Sequence, residues 1–357
     1  MIRLLIVDDS PLMRKLLTEI FSEAGDFDVA VARNAAEALE KIPDFAPHVV
    51  TLDIHMPDMD GLACLDRIMI ECPCPVVMLS SLTEEGADET LEALSLGAVD
   101  FIAKPRGPVS LEMETIADVL VEKVRSAAQS RISRAARLTD RVRHRARTRK
   151  PTASKPRART KEGKLDGIAA VMVGVSTGGP PALDALLQPL PADFPWPIVI
   201  AQHMPASFTG PLARRLDRAC ALRVSEVTKA TSLEPGNAYI GRGDADMLVS
   251  RRKGAPVLLP APSSAECLWH PSTDRLVASA IETLGAESLI GVLLTGMGSD
   301  GAEGMARMRQ EGGHVIAQDE ASAVVWGMPG SLVALGGADH VLPLPDIATR
   351  LIDWAGL

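Results

Sequence analysis

Short apolar runs alternate with amphipathic stretches along most of the chain, and the alternation is broken by a polar, proline-bearing segment that ends near residue 165. In the first half the runs are LLIV (4–7), VAVA (29–32), VVTL (49–52), VVML (76–79) and VDFIA (99–103). Four or five apolar residues are too few for a buried helix and suit strands covered on both faces. Between them, PLMRKLLTEIFSEAG (11–25) and AAEALEKI (35–42) carry apolar residues at helical spacing. Strand–helix alternation predicts a doubly wound (βα)5 domain with a parallel sheet. The same reading predicts a second doubly wound α/β domain from IAAVMVGV (168–175), the helical PALDALLQPL (181–190), IVIA (198–201) and LIGVLLT (289–295).

In open parallel sheets the ligand lies beyond the carboxyl ends of the strands. The residues just after the first-half runs are therefore the candidates, and they are Asp8 and Asp9, Asp53, Ser80 and Lys104. Clustered carboxylates repel unless a cation stands among them. Mg2+ takes one or two carboxylates with waters and phosphate oxygens, and a carboxylate can also accept a phosphoryl group. A hydroxyl and an ammonium beside them suit phosphoryl oxygens.

In the second half, Gly174-Val175-Ser176-Thr177-Gly178 fits G-x-S-x-G at a strand-to-helix turn. That turn exposes a serine and aims amide N–H groups at an oxyanion, although a glycine-rich phosphate loop has the same look. His203 follows IVIA-Gln202, and Asp300 follows LIGVLLT by a short glycine-rich turn. If the three runs are parallel strands, a nucleophile, a base and an orienting acid share one sheet edge. The order Ser…His…Asp differs from the Ser…Asp…His of α/β-hydrolases. Asp319, after the run starting at His314, is the rival acid. His270, His314 and His340 read as structural or surface residues, and Asp244 and Asp246 read as turn residues.

Charge changes the picture of the middle. Residues 1–122 hold 8 Lys and Arg against 24 Asp and Glu, residues 123–164 hold 16 against 2, and the remainder holds 13 against 20. The basic stretch carries Val124, Ala128, Ile132, Ala135, Leu138, Val142 and Ala146 on one helical face, so a helix from near Leu111 is expected to run toward Pro151. It is either a basic amphipathic docking element or a solvated tether. Boundaries are expected at 1–122, 123–165 and 166–357. Aromatics are only 3% of residues, which argues against base stacking on nucleic acid. The start MIRLLIVDDS is no signal peptide, no apolar run is long enough to cross a membrane, and five irregularly spaced cysteines fit a reducing cytoplasm.

Two family resemblances follow from these motifs. DD (8–9), TLDIHMPDMDG (51–61), MLSS (78–81) and DFIAKP (100–105) resemble a response-regulator receiver domain. That resemblance implies Asp53 as phosphoacceptor, Asp8, Asp9 and Asp53 as Mg2+ ligands, and Ser80, Phe101 and Lys104 as switch residues. GVSTGGP, QHMP, PGNAYI, LLTGMGSDGAEGM and AQDEASAVVWGMP resemble the catalytic domain of the chemotaxis protein-glutamate methylesterase family, CheB. It implies Ser176 as nucleophile, His203 as general base, Asp300 as its partner, and Thr177 and Met297 near the oxyanion. Implied too are chemoreceptor cytoplasmic domains as substrate, glutamine deamidation as a second activity, a chemotaxis histidine kinase as phosphodonor, a receiver that blocks the catalytic cleft until phosphorylated, no nucleic acid, and no cofactor in the hydrolase site. The chain departs from the family pattern at Gly241–Asp246, at His270, at Thr273 and at Gly330, which bears on the substrate groove. The alternative is a DNA-binding or adaptor response regulator that uses the basic stretch.

Overall fold

The computed structural model describes residues 1–81, 83–104, 109–130 and 164–357. They fold as two units, each with its own sheet. The first contains β1 (Ile2–Val7), α1 (Pro11–Glu23), β2 (Phe27–Ala32), α2 (Ala35–Phe45), β3 (Val49–Asp53), α3 (Gly61–Glu71), β4 (Val76–Ser80), α4 (Glu84–Leu96), β5 (Asp100–Ala103) and α5 (Val109–Ala128). Its five strands are all parallel, in the order β2-β1-β3-β4-β5. All five expected strands are present, and β3 and β4 are buried along their whole length because helices cover both faces. Polar residues at the strand ends start the helices. Ser10, Asn34 and Asp60 each accept an N–H from the first turn of α1, α2 and α3.

The last helix runs past the boundary expected at residue 122. Val124 and Ala127 are buried, Lys123 pairs with Asp100 at 3.0 Å, and Arg125 holds Asp26 through two bonds of 2.8 and 2.9 Å. Of the expected basic helical face, the part from Ile132 to Ala146 lies outside the described residues.

The second unit contains β6 (Ala170–Val175), α6 (Gly179–Leu187), β7 (Ile198–Gln202), α7 (Ala206–Ala219), β8 (Arg223–Val227), β9 (Thr231–Ser232), β10 (Asn237–Gly241), β11 (Ala245–Arg252) and β12 (Ala255–Pro262). It continues with α8 (Thr273–Leu284), β13 (Leu289–Leu293), α9 (Ala302–Gln310), β14 (His314–Gln318), α10 (Met328–Ala334), β15 (His340–Leu342) and α11 (Leu344–Ala355). Seven strands form a parallel sheet in the order β15-β14-β13-β6-β7-β10-β8. Helices α6, α7 and α11 pack together on one side, and α8, α9 and α10 pack together on the other. The three runs singled out from the sequence are the central neighbours β13, β6 and β7, joined in register from Leu289↔Ala170 and Val171↔Ile198. An antiparallel sheet, β11-β12-β9, is the part of this unit that the strand–helix alternation does not foretell. The core of Met172, Val199, Leu276, Leu293 and Met305 lies beneath α8 and α9 and leaves the carboxyl edge of the sheet to polar residues.

Candidate active site

Register brings Ser176 and His203 side by side. Val175 is paired with Gln202, so the next residue on each strand stands at adjacent corners of the sheet edge, on strands about 4.8 Å apart. Gln202 fastens the two corners. Its Nε2 donates to the carbonyl oxygens of both Ser176 and His203, each at 3.1 Å. Ser176 also donates its N–H to Thr295 O at 3.0 Å, which ties β6 to the end of β13. The chain then turns through Gly178, whose φ of 75° suits glycine, into the uncapped N-terminus of α6. Thr177 sits in that turn. Gly296 lies so close to Ser176 that a Cβ there would stand 2.7 Å from the serine Cβ, which places the Gly296–Met297 turn directly against Ser176.

The acid belongs to His203. Asp300 Oδ2 lies 2.8 Å from His203 Nε2. The same carboxylate sits on the N-terminus of α8, where it accepts N–H bonds from Thr273 at 2.6 Å and Asp274 at 3.1 Å, and the Ser272 hydroxyl at 3.0 Å. Burial pushes this carboxyl up, but the bond and charge of His203 and the two helix N–H groups outweigh it and hold the group at about 2. Asp274, next to it, is pushed up by burial and by the charge of Asp300, against the N–H groups of Gly301 and Gly304. His203 Nδ1 is buried with no hydrogen-bond partner among the described residues, so this is the ring nitrogen left free to serve as base.

The rivals fall elsewhere. Asp319 closes a local turn by accepting the N–H and hydroxyl of Ser322. His314 begins β14, and both it and His340 pack against Trp354, with ring centroids 5.5 Å apart in each case. Asp244 is a turn residue, with φ of 56°. Asp246, expected as another turn residue, is instead buried in β11 and pairs with His270 and Arg275. A helix-period or strand-period reading has no term for such a pairing, because its partners arrive from α8 and the loop before it. Sequence reasoning also passes over Gln202 and Trp269, whose ring stacks on His203 at 5.9 Å between centroids and 15° between planes. Ser272 followed by Asp274 carried a usable signal, since a serine before an acidic first turn marks a helix N-terminus.

In the first unit four of the five strand-end candidates, Asp8, Asp9, Asp53 and Lys104, come together. Asp8, Asp9 and Asp53 each offer a carboxylate oxygen within 4.8 Å of the others, with Asp8 and Asp53 buried. Lys104 reaches Asp8 at 2.9 Å and Asp53 at 2.8 Å. Burial pushes the Asp53 carboxyl up, opposed by Lys104 and reinforced by Asp8. Burial would lower the Lys104 ammonium, but the two carboxylates hold it above its ordinary value. The Ser80 hydroxyl accepts from Thr90 Oγ1 at 2.6 Å, and Phe101 is buried with the Lys123 ammonium 5.3 Å from its ring centroid.

Residues 4–115 match the response regulator receiver domain family, and residues 171–351 match the CheB methylesterase family. The chain is 54% identical to a protein-glutamate methylesterase/protein-glutamine glutaminase of Rhodopseudomonas palustris, across 99% of this chain and 98% of the relative. It is 52% identical to one of Rhodospirillum rubrum, across 99% and 96%. The solved catalytic domain of the Thermotoga maritima CheB methylesterase matches 52% of this chain and 98% of its own, with 39% identity and a TM-score of 0.50. With both family matches in chain order and near-complete coverage of its relatives, the chain belongs to the CheB methylesterase family and carries that family's receiver domain in front.

Proposed function

We propose that the protein is a phosphorylation-activated protein-glutamate methylesterase and protein-glutamine glutaminase, with Ser176, His203 and Asp300 as its triad. The observation that carries this reading is the 2.8 Å His203–Asp300 pair one strand away from Ser176. Ser176 attacks the γ-carbonyl of a glutamyl methyl ester while His203 Nδ1 takes its proton. The oxyanion that forms lies by the turns that carry Thr177 and Met297, whose amides and the α6 N-terminus are suited to stabilise it. The imidazolium, held by Asp300, gives the proton to the methoxy oxygen as the C–O bond breaks and methanol leaves, or to the amide nitrogen as the C–N bond breaks and ammonia leaves when the substrate is glutamine. Water activated by the same imidazole then releases the γ-carboxylate and restores Ser176. The substrate is the methylated cytoplasmic region of chemoreceptors, and the protein acts in the cytoplasm. No helix among the described residues is long and apolar enough to cross a membrane.

The receiver accepts its phosphoryl group at Asp53 from a chemotaxis histidine kinase. The acidic trio fits Mg2+, since three convergent oxygens include two buried carboxylates with, among the described residues, one ammonium between them. When bound, Mg2+ supplies charge neutralisation at the phosphoacceptor. Lys104 anchors Asp53 and Asp8, and Ser80 must exchange its Thr90 partner to reach a phosphoryl oxygen. We place the receiver's end at the close of α5 rather than at residue 122, the basic connector after it, and the catalytic domain at 166–357. A parallel α/β sheet in place of a helical DNA-binding unit gives the alternative regulator reading no support.

The test is methanol release from methylated receptor membranes, with and without a small phosphodonor. Ser176→Ala and His203→Ala each lose nearly all turnover, because the residues act as a unit. Near-normal methanol release by Ser176→Ala defeats the mechanism.

A further inference from the structure

A second buried carboxylate lies behind the triad, at a position where this chain departs from the family pattern. Asp246 is 1% exposed, and both of its oxygens are fully engaged. Oδ1 accepts the Ser272 N–H at 2.7 Å and faces His270 Nδ1 at 2.9 Å. Oδ2 accepts the Ser264 N–H at 3.2 Å and the Arg275 guanidinium. Burial pushes this carboxyl up, but His270, the Ser272 N–H and Arg275 outweigh it, so it stays charged.

Ser272 links this carboxylate to the triad. Its N–H is held by Asp246, and its hydroxyl donates to Asp300 Oδ1 at 3.0 Å. The same hydroxyl accepts the Arg275 N–H at 3.3 Å, so it caps α8, whose first two N–H groups bind Asp300. Arg275, one helical turn into α8, returns to Asp246. The carboxylate therefore grips the α8 N-terminus at two points, and that N-terminus grips Asp300 at three. Trp269, stacked on His203, lies in the same strap, immediately before His270.

We propose that Asp246 is a positioning residue for the His203–Asp300 pair, acting through Ser272, with His270 and Arg275 as its fasteners. This rests on the triad reading above. Asp300 needs its orientation as well as its charge, because the imidazole it holds must present Nδ1 to Ser176. Three contacts that set that orientation, and the Trp269 ring stacked on His203, lie on the segment Trp269–Asp274, and Asp246 is the anchor of that segment within the antiparallel sheet.

The test uses the full-length protein. Asp246→Asn places an amide where two donors converge and loosens the strap without changing side-chain volume. The expected result is a kcat for methanol release at least ~10-fold lower with KM within about twofold, since the positioned groups act in the transition state. The downfield imidazole N–H proton resonance of the His203–Asp300 pair, identified by its loss in His203→Gln, disappears as well. His270→Leu, at the partly exposed rim of the cluster, moves both readouts the same way, and His270→Asn, which keeps a donor, loses less. Should Asp246→Asn fail to fold, the two His270 variants carry the test. A folded Asp246→Asn or His270→Leu protein with wild-type kcat and an unchanged resonance overturns the proposal, as does a lowered melting temperature with kcat intact. Ser176→Ala in the same assay keeps the two claims apart. Turnover surviving in that variant breaks the triad reading itself, whereas an inert Ser176→Ala beside an unaffected Asp246→Asn breaks only the positioning role.

Discussion

His203 faces Asp300 with Nε2 and has no partner at Nδ1 among the described residues, so the pair orients the ring by one nitrogen and, in the proposed mechanism, leaves the other for the serine proton. Asp300→Asn is expected to fold and to lose most turnover, because an amide no longer dictates the tautomer. The carboxyl's depressed value also sets a pH dependence. Its folded value of about 2 lies below the unfolded 3.8, so its stabilisation is complete above about pH 5 and is lost as pH falls toward 2. The shift corresponds to about 2 kcal/mol. Urea unfolding of wild type and Asp300→Asn should differ clearly at pH 5 and converge as pH falls toward 2; a gap that persists undiminished at pH 2 would show that the charge is not its source. Ser176, His203 and Asp300 were legible in the sequence as candidates because each directly follows, or closely follows, an apolar run. Asp246 was not, because its partners come from a loop and a helix some twenty to thirty residues further on, and local pattern reports only neighbours in sequence.

At the scale of elements, the active edge depends on how closely the ends of β6 and β13 approach. Gly296→Ala would drive a methyl group against Ser176 Cβ and Met328 Sδ. It is expected to cost about 1–3 kcal/mol and to lower kcat well beyond any change in KM, which kinetics and a melt on the same sample will show. The receiver edge follows the same logic with different chemistry. Asp53 is expected to take phosphate from a small phosphodonor only with Mg2+ present, and chelation or Asp53→Asn should abolish labelling. Labelling of Asp53→Asn at another carboxylate would move the site. All five strands of the first sheet and β6, β7, β13 and β14 of the second were readable from apolar runs bounded by polar residues, whereas β8, β10 and β15 were not, being short or polar in alternation. The antiparallel β9, β11 and β12 were not, since their alternation is interrupted by prolines and charges and one strand has only two residues, Thr231–Ser232.

For the whole molecule the central expectation is that phosphorylation at Asp53 shifts a population toward an active catalytic domain. Its size is bounded by how differently the phosphoryl group stabilises the two states. A coupling of ~1–3 kcal/mol gives roughly 5–150-fold activation. The Thermotoga maritima relative is a solved catalytic domain, so residues 166–357 are a sound truncation to make here. That fragment should demethylate receptors faster than the intact protein does without phosphodonor, and equal or slower turnover would rule out an inhibitory receiver. The sequence by itself determined the two α/β units and the strand ends at which the candidate residues gather, because buried parallel strands leave continuous apolar runs and place polar residues at their carboxyl ends. Only the tertiary structure decided that Asp300 rather than Asp319 pairs with His203, which ring nitrogen has no partner among the described residues, that Val124 and Ala127 of α5 are buried, and that Asp246 stands behind Asp300. Those are outcomes of strand order and of helix termini meeting in space, and periodicity along a chain specifies an element's faces without specifying what those faces will meet.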